Sequence, residues 1–206
     1  MTPTEPRIAC ESAHSAALEQ HKSVLRKHLL ATRQSMTAVH RSAACVAIGE
    51  YLLSWQASTG VDALAVYWPI RGEPDLMPAY LQLAQRGVRL ALPVVCGPNA
   101  PLDFAAWLPG QAMAQDAFGV AIPAQPRHTV VPEAFLIPCV GINAQQFRLG
   151  YGGGMYDRTL ALLPAATTVG IAFDSARSEF GVAPHDIGLQ VLITESGVER
   201  HRPDVP

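Results

Sequence analysis

The chain has 206 residues, of which 49% are hydrophobic and 16% are charged, and its formal net charge at pH 7 is −2. This length and composition predict one compact domain with a sizeable hydrophobic core, because two domains would each be small for the core they need. The slightly negative charge argues against nucleic acid and anionic membranes as partners, since both are usually bound by a surplus or a stripe of basic residues.

The cysteines and the apolar runs indicate a compartment. The four cysteines are widely spaced, without the C-x-x-C pattern of a zinc site or a redox pair. No apolar run approaches the ~18 to 20 residues that span a bilayer. The chain also does not open with the charged and apolar segments of a secretory signal. We therefore expect a cytoplasmic protein with reduced thiols, and we expect it to act as a monomer.

The N-terminal part predicts a flexible end followed by a helix. Residues 1–14 mix Pro, Thr, Ala, Ser and Glu without a hydrophobic period, as flexible termini do, so one domain is expected to cover residues 15–206. Over residues 15–33, leucines recur among basic residues, as in an amphipathic helix. This helix would place Lys22 and Arg26 one turn apart on the same face.

A second helix is predicted to follow directly. Thr37 is suited to its N-cap, and the pattern continues to about Trp55. Its apolar side is expected to consist of Val39, Val46, Leu52 and Leu53.

Strands and helices alternate along the rest of the chain. Predicted strands cover residues 61–68, 88–93, 134–142, 167–173 and 190–194, and predicted helices cover residues 75–85 and 156–163. Residues 94–132 contain several prolines, which predict irregular connections with two short extended segments. The alternation indicates an α/β fold: a single domain with a mainly parallel open sheet between helices, in a Rossmann-like three-layer arrangement. Glu73 follows the first strand, and open α/β sheets bind their ligands at the carboxyl ends of strands.

The most distinctive stretch runs from Arg148 to Arg158 and reads R-L-G-Y-G-G-G-M-Y-D-R. A loop with so many glycines lets a ligand approach the main chain. Where such a loop opens a helix, its N–H groups and the helix dipole favour anionic oxygens, especially those of phosphate. Asp157 adds a carboxylate that suits Mg²⁺.

Other interpretations of this loop stay open on the residues alone. Glycine clusters also build ordinary tight turns. The loop does not end in the Gly-Lys-Ser/Thr of a Walker A sequence, and no strand-G-x-G-x-x-G unit opens the chain. The residues by themselves therefore predict an anion site and do not identify the ligand.

The motif resembles the signature of the 5-formyltetrahydrofolate cyclo-ligases, also called 5,10-methenyltetrahydrofolate synthetases. Three further features occur in the family's order: Lys22-x-x-Leu25-Arg26, Y-W-P-I-R-G-E over residues 67–73, and P-H-D over residues 184–186. The resemblance implies an enzyme that uses ATP and Mg²⁺ to close 5-formyltetrahydrofolate to 5,10-methenyltetrahydrofolate, releasing ADP and phosphate. Its implied route is phosphorylation of the formyl oxygen followed by attack of N10.

The resemblance also implies an ATP site built from the first helix and the motif. Its residues are Lys22, Arg26, Arg148, Gly150, Tyr151, Gly152, Gly153, Gly154, Met155 and Tyr156. Arg148 and Asp157 are implied to be catalytic, and Asp157 and Asp186 to bind Mg²⁺. Some relatives carry lysine where this chain has Gly153. On the residues alone, Lys22 and Arg26 could be a solvated basic face, and Asp186 could brace its loop.

A folate site is implied by the loop after the first strand together with the motif. Its residues are Trp68, Glu73, Tyr151, Gly152, Gly153, Gly154 and Met155. Glu73 suits this role because a carboxylate can accept hydrogen bonds from adjacent N–H groups of a pterin ring. Taken alone, Glu73 could be solvated and Trp68 could belong to the core.

Two other functions are alternatives. A non-catalytic binder of nucleotide or folate with the same fold would be expected to lack one of the motif acids or cations, and none is missing. A dinucleotide-dependent oxidoreductase would need the absent strand-G-x-G-x-x-G unit.

Overall fold

The computed structural model describes residues 5–125 and 130–201. The helices in these ranges are α1 (Glu5–Ser35), α2 (Ala38–Thr59), α3 (Met77–Gln85) and α4 (Met155–Leu162). The strands are β1 (Ala63–Ala65), β2 (Arg89–Val95), β3 (Leu102–Trp107), β4 (Met113–Gln115), β5 (Ala121–Pro123), β6 (Ala134–Pro138), β7 (Gly141–Ile142), β8 (Arg148–Leu149), β9 (Thr167–Ile171), β10 (Val191–Thr194) and β11 (Gly197–Arg200). No helix in the described part of the chain is both long and apolar enough to cross a membrane.

A seven-stranded sheet organises the molecule, with the order β11-β10-β9-β6-β1-β2-β3. The five central strands, from β10 to β2, run parallel to one another. The two edge strands, β3 and β11, are antiparallel to their neighbours. Two small antiparallel ribbons, β4-β5 and β7-β8, lie outside the sheet. The predicted α/β class and mainly parallel sheet are confirmed.

Helices cover both faces of the sheet. Successive strand residues point to opposite faces, and those on both faces are apolar. Leu64 of β1 belongs to the hydrophobic cluster that contains α2 and α3 residues, whereas its neighbour Ala65 belongs to the cluster with Leu160 of α4. Such alternation is what a strand buried on both faces requires. A third, smaller cluster joins Leu29 of α1 to Leu149 at the end of β8. This cluster holds α1 beside the segment that leads into the glycine loop.

The N-terminal segment differs from the prediction. α1 begins at Glu5, whereas the composition predicts a flexible segment over residues 1–14 and a helix from residue 15. A proline in the first helical turn, as at Pro6, costs no hydrogen bond, and Ala, Glu and Arg have high helix propensity. A helix can therefore extend without the hydrophobic period on which the prediction relied. Residues 1–4 lie outside the described residues.

In α2 the predicted N-cap, Thr37, is confirmed, but two of the four residues predicted for the apolar side, Val39 and Val46, are not buried. Thr37 Oγ1 accepts a hydrogen bond from His40 N at 3.2 Å, and the helix runs on to Gly60, whose φ of 70° ends it. The side chains of Val39 and Val46 are 76% and 59% exposed. The buried residues of α2 are Ala44, Ile48, Gly49, Leu52 and Trp55. Two small residues, Ala44 and Gly49, belong to this buried face while two valines lie outside it, so apolar character alone does not identify the face.

The predicted strand over residues 134–142 is two separate strands. β6 ends at Pro138, and after a turn the chain forms β7, which pairs with β8. The glycine loop is therefore reached through the β7-β8 ribbon and not directly from the sheet. β11 is absent from the prediction, because its four residues, G-V-E-R, are mostly exposed and carry no strand pattern.

Candidate active site

The carboxyl ends of β1 and β6 define the place of the site. The chain passes from β1 to β2 on one side and later returns to β6 on the other side of β1, so the strand order reverses between β1 and β6. In open α/β sheets such a reversal leaves a crevice in which ligands bind. The loop containing Glu73 leaves β1 at this point, and Cys139 follows β6. The glycine loop and the second half of α1 lie beside them.

The glycine loop adopts the backbone that glycine permits. Gly152 has φ 95° and Gly154 has φ 60°, and Gly154 is the N-cap of α4. Arg158 Nη2 donates to Gly153 O at 2.5 Å, which braces the loop from within α4. Gly153 has no positive φ, and a Cβ there would meet only the Met155 side chain, at 3.5 Å. The lysine of some relatives would therefore fit at this position without strain.

Arg26 reaches the glycine loop from α1. Its Nε donates to Gly150 O at 3.0 Å, and a Cβ placed at Gly152 would lie 3.5 Å from its guanidinium carbon. Its Nη2 also pairs with Glu19 at 2.9 Å. The 3.5 Å distance from a Cβ at Gly152 to Arg26 is an ordinary van der Waals contact, so it is the positive φ of Gly152, and not the space beside Arg26, that requires glycine there.

Lys22 lies one turn before Arg26 on the same face of α1 and is only 6% exposed. Its Nζ donates to Asp186 Oδ2 at 2.9 Å, across 164 residues of sequence. A buried ammonium needs such a partner because leaving it unpaired would cost several kcal/mol, an order-of-magnitude figure. The solvated-face alternative therefore fails for Lys22.

Asp157 and Asp186, the two acids predicted to bind Mg²⁺, are linked by a hydrogen bond from the backbone of residue 187. Asp157 Oδ1 accepts from Arg148 Nη2 at 2.5 Å and from Ile187 N at 3.1 Å. Ile187 directly follows Asp186, whose Oδ2 accepts from Lys22 and from Ala183 N at 2.8 Å. Burial by itself would raise the pKa of Asp186, but the hydrogen bond from Ala183 N and the Lys22 ammonium outweigh it and lower that pKa.

This donor set fits a magnesium ion that arrives with a nucleotide. Each acid uses one oxygen in the contacts above, and the second oxygens, Asp157 Oδ2 and Asp186 Oδ1, accept no hydrogen bond within the described residues. Mg²⁺ is usually held by one or two carboxylates, with phosphate oxygens and water completing the octahedron. No group of three or more His, Cys, Asp or Glu residues in the described ranges could hold a metal without such help.

Glu73 is buried, with 4% of its surface exposed, and is not the solvated residue of the alternative interpretation. Its Oε2 accepts from Ile70 N at 2.9 Å, and its Oε1 accepts from the Tyr151 hydroxyl at 2.7 Å. Burial raises the pKa of Glu73, although both hydrogen bonds and the charges of Arg33 and Arg71 oppose the shift. Tyr151 belongs to the glycine loop, so this hydrogen bond joins the two halves of the site.

Two arginines beside Tyr151 were missed by the sequence analysis. Arg33 is 3% exposed and donates to the Tyr151 hydroxyl from Nη1 at 3.3 Å and to Cys139 O from Nη2. The guanidinium of Arg71 lies over the Tyr151 ring, 5.2 Å from its centroid. Helical spacing could have found Arg33, because it lies two turns beyond Arg26 on the same face of α1.

Three residues expected to touch ligand make apolar contacts in the structure. Trp68 is half-buried and packs edge-on against Trp107, with ring centroids 6.2 Å apart. Met155 and Tyr156 begin α4 and pack against the hydrophobic cluster on that face of the sheet. Burial raises the pKa of Tyr156. The ligand contacts of these three residues remain predictions. Hydrogen bonds join the other predicted side chains in pairs or to the glycine loop: Lys22 to Asp186, Arg26 to Gly150, Arg148 to Asp157, and Tyr151 to Glu73.

The fold and the site together define a class. This is an α/β protein in which a glycine loop with basic neighbours, suited to an anion, adjoins a buried carboxylate suited to a donor-rich ring. Such a pair of adjacent subsites is typical of an enzyme that brings two small molecules together.

Known proteins place the chain within that class. The 5-formyltetrahydrofolate cyclo-ligase family model matches residues 18–190. The chain belongs to this family, as the motif resemblance predicts.

Relatives named 5-formyltetrahydrofolate cyclo-ligase are similar over most of their length. The protein of Mycolicibacterium smegmatis is 29% identical over 185 residues, which cover 84% of this chain and 93% of the relative. The protein of Escherichia coli K12 is 32% identical over 143 residues, which cover 66% and 79%.

Two solved structures of 5,10-methenyltetrahydrofolate synthetases share the fold. The structure from Aquifex aeolicus is 30% identical, with a TM-score of 0.75 and coverage of 90% of this chain and 95% of its own. The structure from Mycoplasma pneumoniae is 25% identical, with a TM-score of 0.72 and coverage of 84% and 98%.

Proposed function

We propose that this protein is a 5-formyltetrahydrofolate cyclo-ligase that uses ATP and Mg²⁺ to form 5,10-methenyltetrahydrofolate, ADP and phosphate. The observation that carries the proposal is the hydrogen bond from the Tyr151 hydroxyl to Glu73. It joins the glycine loop, where phosphate would bind, to the carboxylate that would hold the pterin. The two ligands would thus be neighbours, as transfer of a phosphoryl group between them requires.

The chemistry needs activation of a poor leaving group. The formyl oxygen attacks the γ-phosphorus of ATP, the bond to the β-phosphate oxygen breaks, and ADP leaves. N10 then attacks the formyl carbon and loses its proton, the bond from that carbon to the phosphorylated oxygen breaks, and phosphate leaves. Positioning and charge neutralisation are the main tasks of a protein in phosphoryl transfer, so no nucleophilic side chain is required.

The residues of the site divide these tasks. Lys22, Arg26 and Arg148 supply positive charge beside the glycine loop, whose N–H groups would bind phosphate oxygens. Asp157 and Asp186 would hold Mg²⁺, which supplies neutralisation of the phosphate charge when bound. Glu73 would accept hydrogen bonds from the pterin.

A turnover assay tests the proposal directly. Purified protein with 5-formyltetrahydrofolate and Mg·ATP should form the methenyl product, followed by its absorbance, and omission of the nucleotide, the metal or the folate should abolish it. Turnover without nucleotide, or oxidation of NAD(P)H in its place, would contradict the assignment. Binding of both ligands with no turnover would favour the non-catalytic alternative.

Lys22 and Lys27, both on α1, offer a variant and a matched control for the proposed ATP site. Lys22→Ala should raise the KM for ATP far more than the KM for folate, because the lost charge faces the nucleotide. Lys27 is exposed on the same helix, and Lys27→Ala should leave both constants unchanged. A Lys22 variant that loses only thermal stability would show that the lysine serves the fold alone.

We also propose that the protein acts in the cytoplasm as a monomer, without nucleic acid or a membrane as partner. Among the residues whose side chains the structure describes, Cys45, Cys96 and Cys139 are free thiols, which supports a reducing compartment. Light scattering coupled to gel filtration would test the monomer, and a mass of about twice 22.0 kDa would contradict it.

A further inference from the structure

We propose that Arg33 is a positioning residue for the folate: it holds the Tyr151 hydroxyl in its hydrogen bond to Glu73 and keeps Glu73 a pure acceptor. This inference rests on the proposed function, in which Glu73 binds the pterin. Arg33 does not touch a reacting group in this scheme and acts through Tyr151.

Arg33 is buried, and its hydrogen bonds go to neutral groups. Burying a guanidinium is costly unless it is paired, yet Arg33 takes part in no ion pair among those of the described residues. Both of its hydrogen-bond acceptors, the Cys139 carbonyl and the Tyr151 hydroxyl, are neutral. The carboxylate that its charge serves is Glu73, one hydrogen bond further on.

With Glu73 ionised, the chemistry of these three side chains permits only one direction of donation, because the arginine can only donate and the carboxylate can only accept. An arginine can donate and cannot accept, so the Tyr151 oxygen must accept from Arg33. The single hydroxyl hydrogen of Tyr151 is then directed to Glu73 Oε1, at 2.7 Å. The other carboxylate oxygen, Glu73 Oε2, accepts a hydrogen bond from Ile70 N. An ionised carboxylate has about four acceptor positions, so about two remain for a ligand with adjacent N–H donors.

The positive charge of Arg33 helps to keep Glu73 ionised, so that its carboxylate can only accept hydrogen bonds. The titratable groups that interact electrostatically with Glu73 are Arg33 of α1, Arg71 of its own loop, Tyr67, Tyr80, Cys139, Tyr151 and Tyr156. Burial raises the pKa of each of these tyrosines, and that of Cys139 to about 12, so they are neutral near pH 7. The two arginines are therefore the charges that oppose protonation of the buried Glu73. A protonated Glu73 would present a hydrogen to a ring that itself carries hydrogens.

The test compares Arg33→Met with Arg33→Lys in the full chain. Arg33→Met should raise the KM for 5-formyltetrahydrofolate about tenfold, the size of one lost charge-assisted contact, and leave the KM for ATP unchanged. It should also move the acidic limb of the kcat/KM profile for folate to higher pH, because the pKa of Glu73 rises further without the positive charge. Arg33→Lys should restore part of that limb, since it keeps the charge.

Tyr151→Phe keeps the test decisive if Arg33→Met does not fold. It should raise the same KM, and adding Arg33→Met in this background should change that KM little further, because both act on it through one hydrogen-bonded chain. The acidic limb should still move to higher pH on that addition, because the charge of Arg33 acts on Glu73 through space as well. A folded Arg33→Met variant with the wild-type acidic limb and folate KM would overturn the inference, as would independent effects on the folate KM in the double variant. If wild-type turnover is absent, or if Glu73→Gln leaves folate binding unchanged, the proposed function has failed and not the role of Arg33.

Discussion

The two halves of the site hold their carboxylates in opposite ways. On the nucleotide side, the Asp186 side chain is 17% exposed and contacts the Lys22 ammonium directly, and its pKa is lowered. On the folate side, Glu73 is more deeply buried and is linked to the Arg33 guanidinium through the Tyr151 hydroxyl, without a direct ion pair among the described residues, and its pKa is raised. The difference depends on whether a direct cation and a backbone N–H together compensate the loss of solvent.

The different environments of these two carboxylates match the ligand proposed for each half of the site. Lys22 with Asp186 and Arg148 with Asp157 are ion pairs whose members match the opposite charges of phosphate and Mg²⁺. Glu73 is held by two neutral donors and offers a shaped acceptor to an uncharged ring. We expect substitutions in the first half to affect kcat and metal dependence, and substitutions in the second to affect folate affinity.

The largest expected effect is on the nucleotide side. Asp157→Asn or Asp186→Asn should lower kcat by about 100-fold or more, the size of losing one strong electrostatic contact to a transition state, and should raise the Mg²⁺ requirement. The double variant should be little worse than the poorer single variant, because residues that serve one ion act as a unit. Steady-state rates over a Mg²⁺ titration measure this.

Asp103→Asn provides a control, since that carboxylate is exposed on β3. It should leave kcat and the Mg²⁺ dependence unchanged. Multiplicative losses from the Asp157 and Asp186 substitutions, with no shift in the Mg²⁺ dependence of either, would show that they do not share a metal.

The next largest effect is expected at Glu73. Glu73→Gln replaces an acceptor with an amide that turns donors toward the donors of the pterin, so folate affinity should fall roughly ten- to a hundredfold, while ATP affinity should not change. Calorimetric titration with each ligand measures both. Glu133→Gln, at an exposed glutamate, is the control. Unchanged folate affinity in the Glu73 variant would remove this residue from the folate site.

A smaller effect on stability should separate two adjacent glycines of the loop. Gly154 has φ 60°, and a Cβ there would lie 2.9 Å from Arg158 Nη1, so Gly154→Ala should lower the free energy of unfolding by about 1–2 kcal/mol. Gly153→Ala, at an unstrained position, should change it by less than about 0.5 kcal/mol. Urea denaturation of both variants tests this, and equal losses would show that the backbone of the loop does not require glycine at 154.

The smallest effect is a difference in how stability depends on pH. Asp186 has a folded pKa below its unfolded value, so its contribution is complete above about pH 4 and is lost as the pH falls through the folded pKa. Glu73 has a folded pKa above its unfolded value, so it destabilises the fold increasingly as the pH rises from about 4 through the folded pKa.

Denaturation at a series of pH values reveals the two signs. The stability of Glu73→Gln relative to wild type should improve as the pH rises from about 4 towards 7. The stability of Asp186→Asn relative to wild type should instead recover only as the pH falls below about 4. The same slope for both variants would contradict the opposite pKa shifts of the two acids.

The sequence by itself determined the features that local spacing controls. Helical spacing placed Lys22 and Arg26 on one face, and Thr37 at the N-cap of α2 followed from its hydroxyl. The alternation of strands and helices determined the α/β class, and the glycines before α4 determined an open loop at a helix start. Each of these depends on residues a few positions apart, whose geometry is the same in any fold.

Only the tertiary structure decided which distant residues meet. The Lys22–Asp186 pair and the Arg33–Tyr151–Glu73 chain join residues that no local pattern connects. The same holds for the buried face of α2 and for the break after Pro138, because both depend on what packs against them. The packing of α1 against the loops that follow the strands brings these partners together. Burial then decides which of them are ionised, since a charge that has left water is stable only where another group compensates it.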